Sequence, residues 1–320
     1  MRLSIGGTDV SDSLSPTMRQ KGLRLKDIFT EVEHQEKLDL QRKGQLRLFH
    51  MAMHSNRFFT GNLQSILYHN LARYVFSRAQ LEDFKNNDEL DVAIAEAMRI
   101  MRENGGAEAE GTGSAMSEIL VYAFLEEVLN ARKILSRAEL FNDLSQFKSE
   151  CKGIHLLPPD EGADRLHYQL VFGASKIIGE LEDAINYAFE MIQKIDRHED
   201  REIIMLQKTA LDRMVNDAEG QFLKSIILPE PGGPTEYDTS YGVFLGYSLG
   251  LKKDRGEEFP QLAKNKMEYD LKRWAPYIVQ KIKENNLENH SFYFYLVPFD
   301  DAEADSRQIM DNVLKGGVIA

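Results

Sequence analysis

Apolar residues recur at three- and four-residue spacings through residues 61–104, a pattern that is typical of amphipathic helices. The first such series consists of Leu63, Ile66, Leu67, Leu71, Tyr74 and Val75. The second consists of Leu90, Ile94, Ala97, Met98 and Met101. We therefore predict a mainly helical N-terminal region over residues 1–104, which a glycine-rich linker at 105–114 separates from the rest of the chain.

The pattern changes after the linker, where helices alternate with short apolar runs. Runs rich in apolar, aromatic and β-branched residues predict strands around 133–135, 153–157, 166–172, 241–249 and 291–298. Helical spacing predicts helices over 117–130, 179–197, 206–226 and 265–285. The prediction is an α/β (α+β) fold, in which the helical N-terminal region is followed by a mixed-sheet domain over residues 115–320.

Composition limits the class of protein. The chain of 320 residues has no uncharged apolar run of the roughly 18 residues that a membrane span needs, and we expect no membrane partner. Cys151 is the only cysteine, which excludes an internal disulfide and agrees with a reducing cytoplasm. The net charge of −12 argues against loose, charge-driven binding of nucleic acid. It leaves room for a local basic groove, or for a partner that delivers DNA.

Candidate chemistry lies between the predicted helix at 117–130 and the strand that ends near Lys176. Glu118 stands on the helix, and the order of acid, strand, then strand with lysine is the order of PD-(D/E)XK nucleases. Such enzymes hold Mg²⁺ with carboxylates, and the ion lowers the pKa of a bound water. A lysine stabilises the charge that develops on the phosphate. Here the third acid position is Ala174, and Cys151 and Lys152 stand where the second acid belongs.

Several segments resemble the HamA family, the effector subunits of the Hachiman anti-phage defence system. They are Ser117–Leu120, Arg137–Leu140, Lys152–His155 and Phe172–Lys176, together with Leu71–Ser77 and Tyr241–Tyr247. The resemblance implies a Mg²⁺-dependent DNA nuclease that is held in check by a HamB-like superfamily 2 helicase. The family pattern is Asp-Gly-x-His followed by Gly-Glu-x-Lys. This chain keeps both glycines, His155 and Lys176, and departs from the pattern at Lys152 and Ala174.

The departures leave three explanations open. The site is reduced or inactive, and the fold is kept for assembly or DNA binding. Alternatively, nearby acids replace the missing ones, with Glu150 as the second acid and Glu180, Glu182 or Asp183 as the third. The third explanation is that Ala174 is an introduced substitution that silences a toxic nuclease.

The candidate catalytic positions are therefore Glu118, Lys176, His155 and Ala174, the last as the position of the missing acid. The candidate metal ligands for Mg²⁺ are Glu118, Glu150 and Glu182. Each has a structural alternative: an acid near a helix start favours the helix dipole, and a histidine on an apolar strand is commonly a core residue. Two functions follow as hypotheses, a restrained DNA nuclease and a non-catalytic nuclease-fold module that binds the helicase or DNA. A third is a structural regulatory protein unrelated to defence.

Overall fold

The computed structural model of the protein describes residues 14–103, 114–136, 139, 151–159, 167–212, 217–228, 237–251 and 258–316. The strands are β1 (Phe29–Glu31), β2 (Gly44–Met51), β3 (Met53–His54), β4 (Arg57–Phe58), β5 (Arg132–Ser136), β6 (Gly153–Leu157), β7 (Tyr168–Ile177), β8 (Tyr237–Ser248) and β9 (Ser291–Phe299). The helices are α1 (Leu25–Ile28), α2 (Gly61–Val75), α3 (Arg78–Asn86), α4 (Leu90–Glu103), α5 (Ser114–Glu127), α6 (Leu181–Arg197), α7 (Glu199–Asp212), α8 (Asp217–Ile227), α9 (Phe259–Glu284) and α10 (Ala302–Leu314).

A seven-stranded mixed sheet forms the centre of the molecule, in the order β1-β2-β9-β8-β7-β6-β5. Strands β2, β9, β8 and β7 are mutually parallel, while β1, β6 and β5 pair antiparallel at the two sides. β3 and β4 form a separate two-stranded sheet. The predicted α/β class with a mixed sheet is therefore confirmed.

The N-terminal region is helical at α2, α3 and α4, as predicted, but it also contributes two strands to the main sheet. Gly44–Leu48 of β2 pair in parallel with Phe292–Leu296 of β9, close to the other end of the chain. No strand was predicted here because polar and charged residues interrupt β2, and one of them, Arg47, pairs with Glu31 of β1. The proposed linker lies mostly outside the described residues, which resume at Ser114.

Other predicted boundaries shift. The helix predicted over 206–226 is described as helical up to Asp212 in α7 and again from Asp217 in α8, with 213–216 outside the described residues, and the last long helix begins at Phe259 rather than 265. A proline in the first turn of that helix lacks only an amide hydrogen that would have no intrahelical acceptor, so the helix starts there without penalty. The proline-rich stretch at 229–234, predicted as a loop, lies outside the described residues.

The sheet is covered on both faces, which explains the near-continuous apolar sequence of its central strands. On one face Phe124 of α5 packs against Phe244 of β8 and Tyr295 of β9. On the other face Phe189 of α6 packs against Phe292 and Phe294 of β9. The carboxyl ends of the parallel strands meet at one edge of the sheet, where ligand sites of α/β proteins commonly lie.

Candidate functional site

Glu118 lies on α5, one turn into the helix. The helix begins at Ser114 rather than at residue 117, where it was predicted to start. The side chain is 7% exposed, so its charge is largely removed from water. Oε2 accepts a hydrogen bond of 3.0 Å from the hydroxyl of Tyr74 on α2. Oε1 accepts one of 2.9 Å from the ammonium group of Lys152. Two elements distant in sequence therefore supply donors to one buried carboxylate.

Lys152 is held at the start of β6, and it is as buried as its partner, at 7% exposure. Its backbone amide donates to the carbonyl oxygen of Gly173 on β7 at 2.9 Å. A Cβ at Gly173 would come within 3.3 Å of the carbonyl oxygen of Gly153 and 3.7 Å of the Cβ of Lys152. The glycine at 173 thus permits the close approach that fixes where the Lys152 side chain begins.

The pair of Glu118 and Lys152 is a buried ion pair. Removing two charges from water carries a large desolvation penalty, and their attraction offsets it only when the geometry is good and further hydrogen bonds are present. The Tyr74 hydroxyl supplies one such bond. The Lys152 ammonium therefore bonds the acid that a metal ion binds in the nuclease pattern.

The described residues at this centre do not fit a Mg²⁺ site. Mg²⁺ requires oxygen ligands in near-octahedral geometry. The second acid position carries a cation, Lys152, and the third is Ala174, a fully buried methyl group with no donor atom. Among the residues that the structure describes, no three His, Cys, Asp or Glu side chains form a group that could hold a metal. Glu150, the proposed substitute ligand, lies outside those residues.

Lys176 is the penultimate residue of β7 and is half-buried. Its Nζ lies 4.0 Å from the centre of the Tyr187 ring on α6. Burial and then the charge of Lys152 lower the pKa of Lys176, while Glu303 on α10 raises it. Ser175, the preceding residue, donates instead to Ser117 of α5 at 3.0 Å. Because side chains alternate along a strand, Ala174 shares the α6 side with Lys176.

His155 lies in the hydrophobic core at 1% exposure. Its ring centre is 6.0 Å from that of Tyr122 on α5, and neither ring nitrogen has a hydrogen-bond partner among the described residues. Burial, followed by the charges of Lys133 and Arg78, lowers the pKa of His155 to about 3. The imidazole is therefore neutral at pH 7.

Glu182 lies at the N-terminal end of α6, together with Glu180 and Asp183. These acids line a cavity of about 170 Å³ that also includes Lys266 and Asp270 of α9. Glu118 and Lys152, both of them described residues, are not part of its lining. Among the described residues, Glu182 and Glu118 do not belong to a common group of three His, Cys, Asp or Glu side chains that could hold a metal.

Sequence reasoning missed two polar groups. One is Tyr74, which the helical spacing assigned to a core, and the other is Asp270, which lies on a helix of mixed polarity. The departure at Lys152 was visible in sequence, but its role as the counter-ion of Glu118 was not. A lysine in place of an acid, beside an acid that is kept, is the signal that points to such a pair.

The HamA family model matches residues 26–313 of the 320. The chain belongs to the HamA family. It is thus a Hachiman-associated defence protein, and the family implies a partner within that system. No curated protein and no solved structure matches this HamA chain. None of the helices among its described residues is long and apolar enough to cross a membrane.

Proposed function

We propose that this HamA protein is a non-catalytic, nuclease-fold subunit of a Hachiman complex, which binds a HamB-like superfamily 2 helicase and meets DNA through that complex. The observation that carries the proposal is the 2.9 Å bond between Lys152 Nζ and Glu118 Oε1 within a buried pair. It replaces the acid-and-metal centre of the nuclease pattern with an internal acid-and-lysine pair.

The chemistry of the two cations differs. A bound divalent ion activates water because it keeps a coordination position open and lowers the pKa of the water that fills it. An ammonium group has three donors and no such position. Lys152 thus neutralises Glu118 and supports the fold, but it offers no route to a hydroxide nucleophile.

The charge of the chain supports a role for a partner in reaching DNA. A net charge of −12 gives no general attraction to phosphates. An ATP-driven helicase that carries the strand to the subunit removes the need for such attraction. In this proposal the subunit contributes a binding surface, and the helicase moves the DNA strand by ATP hydrolysis.

The second candidate is the Mg²⁺-dependent DNA nuclease restrained by the helicase. It is favoured by Lys176, which keeps the position of the charge-stabilising lysine at the end of β7. In this candidate, release by the helicase would free Glu118 from Lys152, and Glu118, Glu150 and Glu182 would hold the ion, which would supply an activated water.

One experiment separates the two candidates. The chain is purified together with a HamB-like superfamily 2 helicase, and is given linear and nicked DNA with ATP and Mg²⁺ or Mn²⁺. Glu118→Gln and Lys176→Ala are the test variants, and Glu190→Gln on an exposed position of α6 is the matched control. We expect no cleavage by any of them, and phage protection that depends on the helicase but survives Lys176→Ala. Cleavage by the wild type that is lost in both test variants and kept in the control establishes the nuclease instead.

A further inference from the structure

We propose that the exposed face of α9 binds single-stranded DNA, an inference that rests on the proposed function only for the helicase that would supply the strand. This α9 face consists of Tyr269, Lys272, Arg273, Pro276, Gln280 and Lys283, all of them exposed. Their three- and four-residue spacings place them on one side of the helix. From Tyr269 to Lys283 the face is about 21 Å long, at 1.5 Å per residue.

The α9 face is basic although the chain as a whole is acidic. The chain has 51 acidic and 39 basic side chains. Between Tyr269 and Lys283 the only acid is Asp270, which is buried and ion-paired with Lys266. The same stretch carries four cations, Lys272, Arg273, Lys281 and Lys283. A local surface of this kind attracts phosphates even where the net charge of −12 does not.

These four cations differ from those of other surface helices because they have no acidic partner. On α3, Lys85 pairs with Glu82. On α4, Arg99 pairs with both Glu96 and Glu103. Within the described part of the chain, by contrast, no ion pair is formed by the four cations Lys272, Arg273, Lys281 and Lys283. Their charges are therefore available to a ligand.

The helix dipole explains only half of this set. Cations in the last turn of a helix interact favourably with its carbonyl end, which accounts for Lys281 and Lys283. Lys272 and Arg273 lie in the middle of α9, where the dipole gives no such advantage. Two exposed, adjacent cations without acids around them therefore point to an anionic ligand.

Aromatic rings lie among the cations and select nucleic acid as that ligand. Tyr269 is 55% exposed, and Trp274 and Tyr277 are half-buried. A cation approaches each ring centre, at 5.7 Å for Lys266 and Tyr269, 4.6 Å for Arg273 and Trp274, and 5.2 Å for Lys281 and Tyr277. Proteins that bind single strands combine cations that follow the phosphates with rings on which unpaired bases stack. The bases of a duplex are already stacked on one another, so the unpaired strand is favoured.

Helix α6 extends the basic surface at one end. The Tyr277 hydroxyl donates to Oδ1 of Asn186 at 2.7 Å, and the Gln193 amide donates to Asn285 just after α9, so the two helices run side by side in the same direction. Their last turns carry Lys194 and Arg197 on α6, and Lys281 and Lys283 on α9. The acids that line the cavity at the start of α6 lie at the opposite end. The phosphates are therefore expected to follow α9 towards the ends of both helices.

Fluorescence anisotropy of a labelled oligothymidylate measures binding by the purified full-length chain. We expect saturable binding at low salt. The affinity should fall about fiftyfold between about 50 and 200 mM salt, because four phosphate contacts give a logarithmic slope of about −2.8. An abasic strand with the same number of phosphates should bind at least about fivefold more weakly, because it has no bases to stack.

A charge-matched pair of variants locates the phosphate contacts. The double variant Lys272→Gln, Lys283→Gln removes two cations of the α9 face. The control Lys85→Gln, Lys315→Gln removes two exposed cations elsewhere and has the same net charge. We expect the first to lose about half of the salt dependence, with a fall of about sevenfold over the same range, and the control to keep all of it.

Tyr269→Ala tests the stacking of bases. The side chain is exposed, so its removal leaves the core of the fold unchanged. We expect the variant to bind oligothymidylate about fivefold more weakly, or worse, and to bind the abasic strand as the wild type does. Its salt dependence should also equal that of the wild type, because no phosphate contact is lost.

Four results would overturn the proposal. They are no binding of oligothymidylate by the wild type at low salt, equal binding by the α9 double variant and its control, equal weakening of both strands by Tyr269→Ala, and competition by polyglutamate as strong as by oligothymidylate. The last result would assign the face to an acidic protein surface instead of a strand.

Co-purification with the HamB-like helicase separates this inference from the proposed function. A complex that forms with a chain that binds no strand shows that the α9 inference is wrong while the proposed function stands. Strand binding that depends on the α9 face, in a chain that captures no helicase, shows that the proposed function is wrong while the α9 inference stands.

Discussion

Two carboxylate–lysine pairs in this protein have opposite consequences. Glu118 and Lys152 are 34 residues apart in the sequence, and both carboxylate oxygens of Glu118 accept hydrogen bonds. Asp270 and Lys266 are four residues apart on one helix, and the Tyr247 hydroxyl interacts with the same carboxylate. The first pair closes the centre that the family pattern marks as catalytic. The second lies in the wall of a cavity between α6 and α9.

The difference shows that residue type alone does not identify a site. Both acids are buried and both have a lysine, so composition and burial treat them alike. What separates them is the origin of their partners, since Tyr74 and Lys152 reach Glu118 from distant parts of the chain, whereas Lys266 lies on the same helix as Asp270.

The strongest way to break the comparison is to remove the cation from the closed pair. Lys152→Ala leaves Glu118 buried without its counter-ion, and breaking a buried pair in this way costs about 3–5 kcal/mol of unfolding free energy. Urea unfolding monitored by circular dichroism measures the change. A loss below about 1 kcal/mol would mean that Glu118 is stabilised by other means.

The double variant Glu118→Gln with Lys152→Met is the control for that experiment. It removes both charges while it keeps the approximate shape of the two side chains. We expect it to recover most of the stability that Lys152→Ala loses, since replacing a whole buried pair is often nearly neutral.

His155 extends the comparison, because it is a third predicted site residue that lies in the core. Its folded-state pKa of about 3 lies below the ordinary 6.5, so the unfolded chain binds the proton more readily between these values. Stability contributed by the neutral ring is therefore lost as the pH falls, by about 2 kcal/mol between pH 7 and pH 5. The difference in unfolding free energy between wild type and His155→Leu should show this slope. A difference that is independent of pH would contradict it.

Asp270 should show the opposite slope, and a smaller one. Burial raises its pKa above the ordinary 3.8, with Lys266 opposing the shift. From pH 3.8 up to the raised value the folded state binds more protons than the unfolded state, so rising pH removes stability. Asp270→Asn should therefore gain stability relative to wild type as the pH rises through this window. Unfolding free energies at pH 4 and pH 7 test the sign.

The smallest effect belongs to Lys176. Its contact with Tyr187, which is 45% exposed, is worth about 0.5–1 kcal/mol as a cation–π interaction near the surface. Lys176→Met should therefore lower the melting temperature only slightly. A loss as large as that of Lys152→Ala would show that Lys176, too, supports the fold.

The sequence predicted the elements whose pattern is local and strong. The apolar series of α2, α4 and α6 and the short runs of β6 and β9 appear where spacing placed them. β1 and β2 were missed because their pairing with each other and with β9 is non-local, and because Arg47 and Glu31 look like solvated charges until the strands bring them together.

The order of the candidate site residues along the chain could be predicted from the sequence, but the ion pair between two of them could not. Glu118, Lys152 and Lys176 are recognisable from spacing, yet the bond between the first two depends on how β6 approaches α5. The Asp270 cavity depends on three separate elements, α6, β8 and α9, and nothing local in the sequence distinguishes Asp270 from an ordinary helix-surface acid. Contacts between distant elements depend on packing, which local sequence patterns do not report.

Mn²⁺ binding is the most direct test of the claim that Lys152 stands in place of a metal. Titration calorimetry of the wild type, Glu118→Gln and Glu190→Gln is compared with that of a Lys152→Asp, Ala174→Glu double variant. The account predicts no Mn²⁺ binding to the wild type tighter than about 1 mM, and a new site in the double variant that raises its stability by about 2.7 kcal/mol at 100 times its Kd. Stoichiometric Mn²⁺ binding by the wild type that Glu118→Gln abolishes and Glu190→Gln preserves would contradict it.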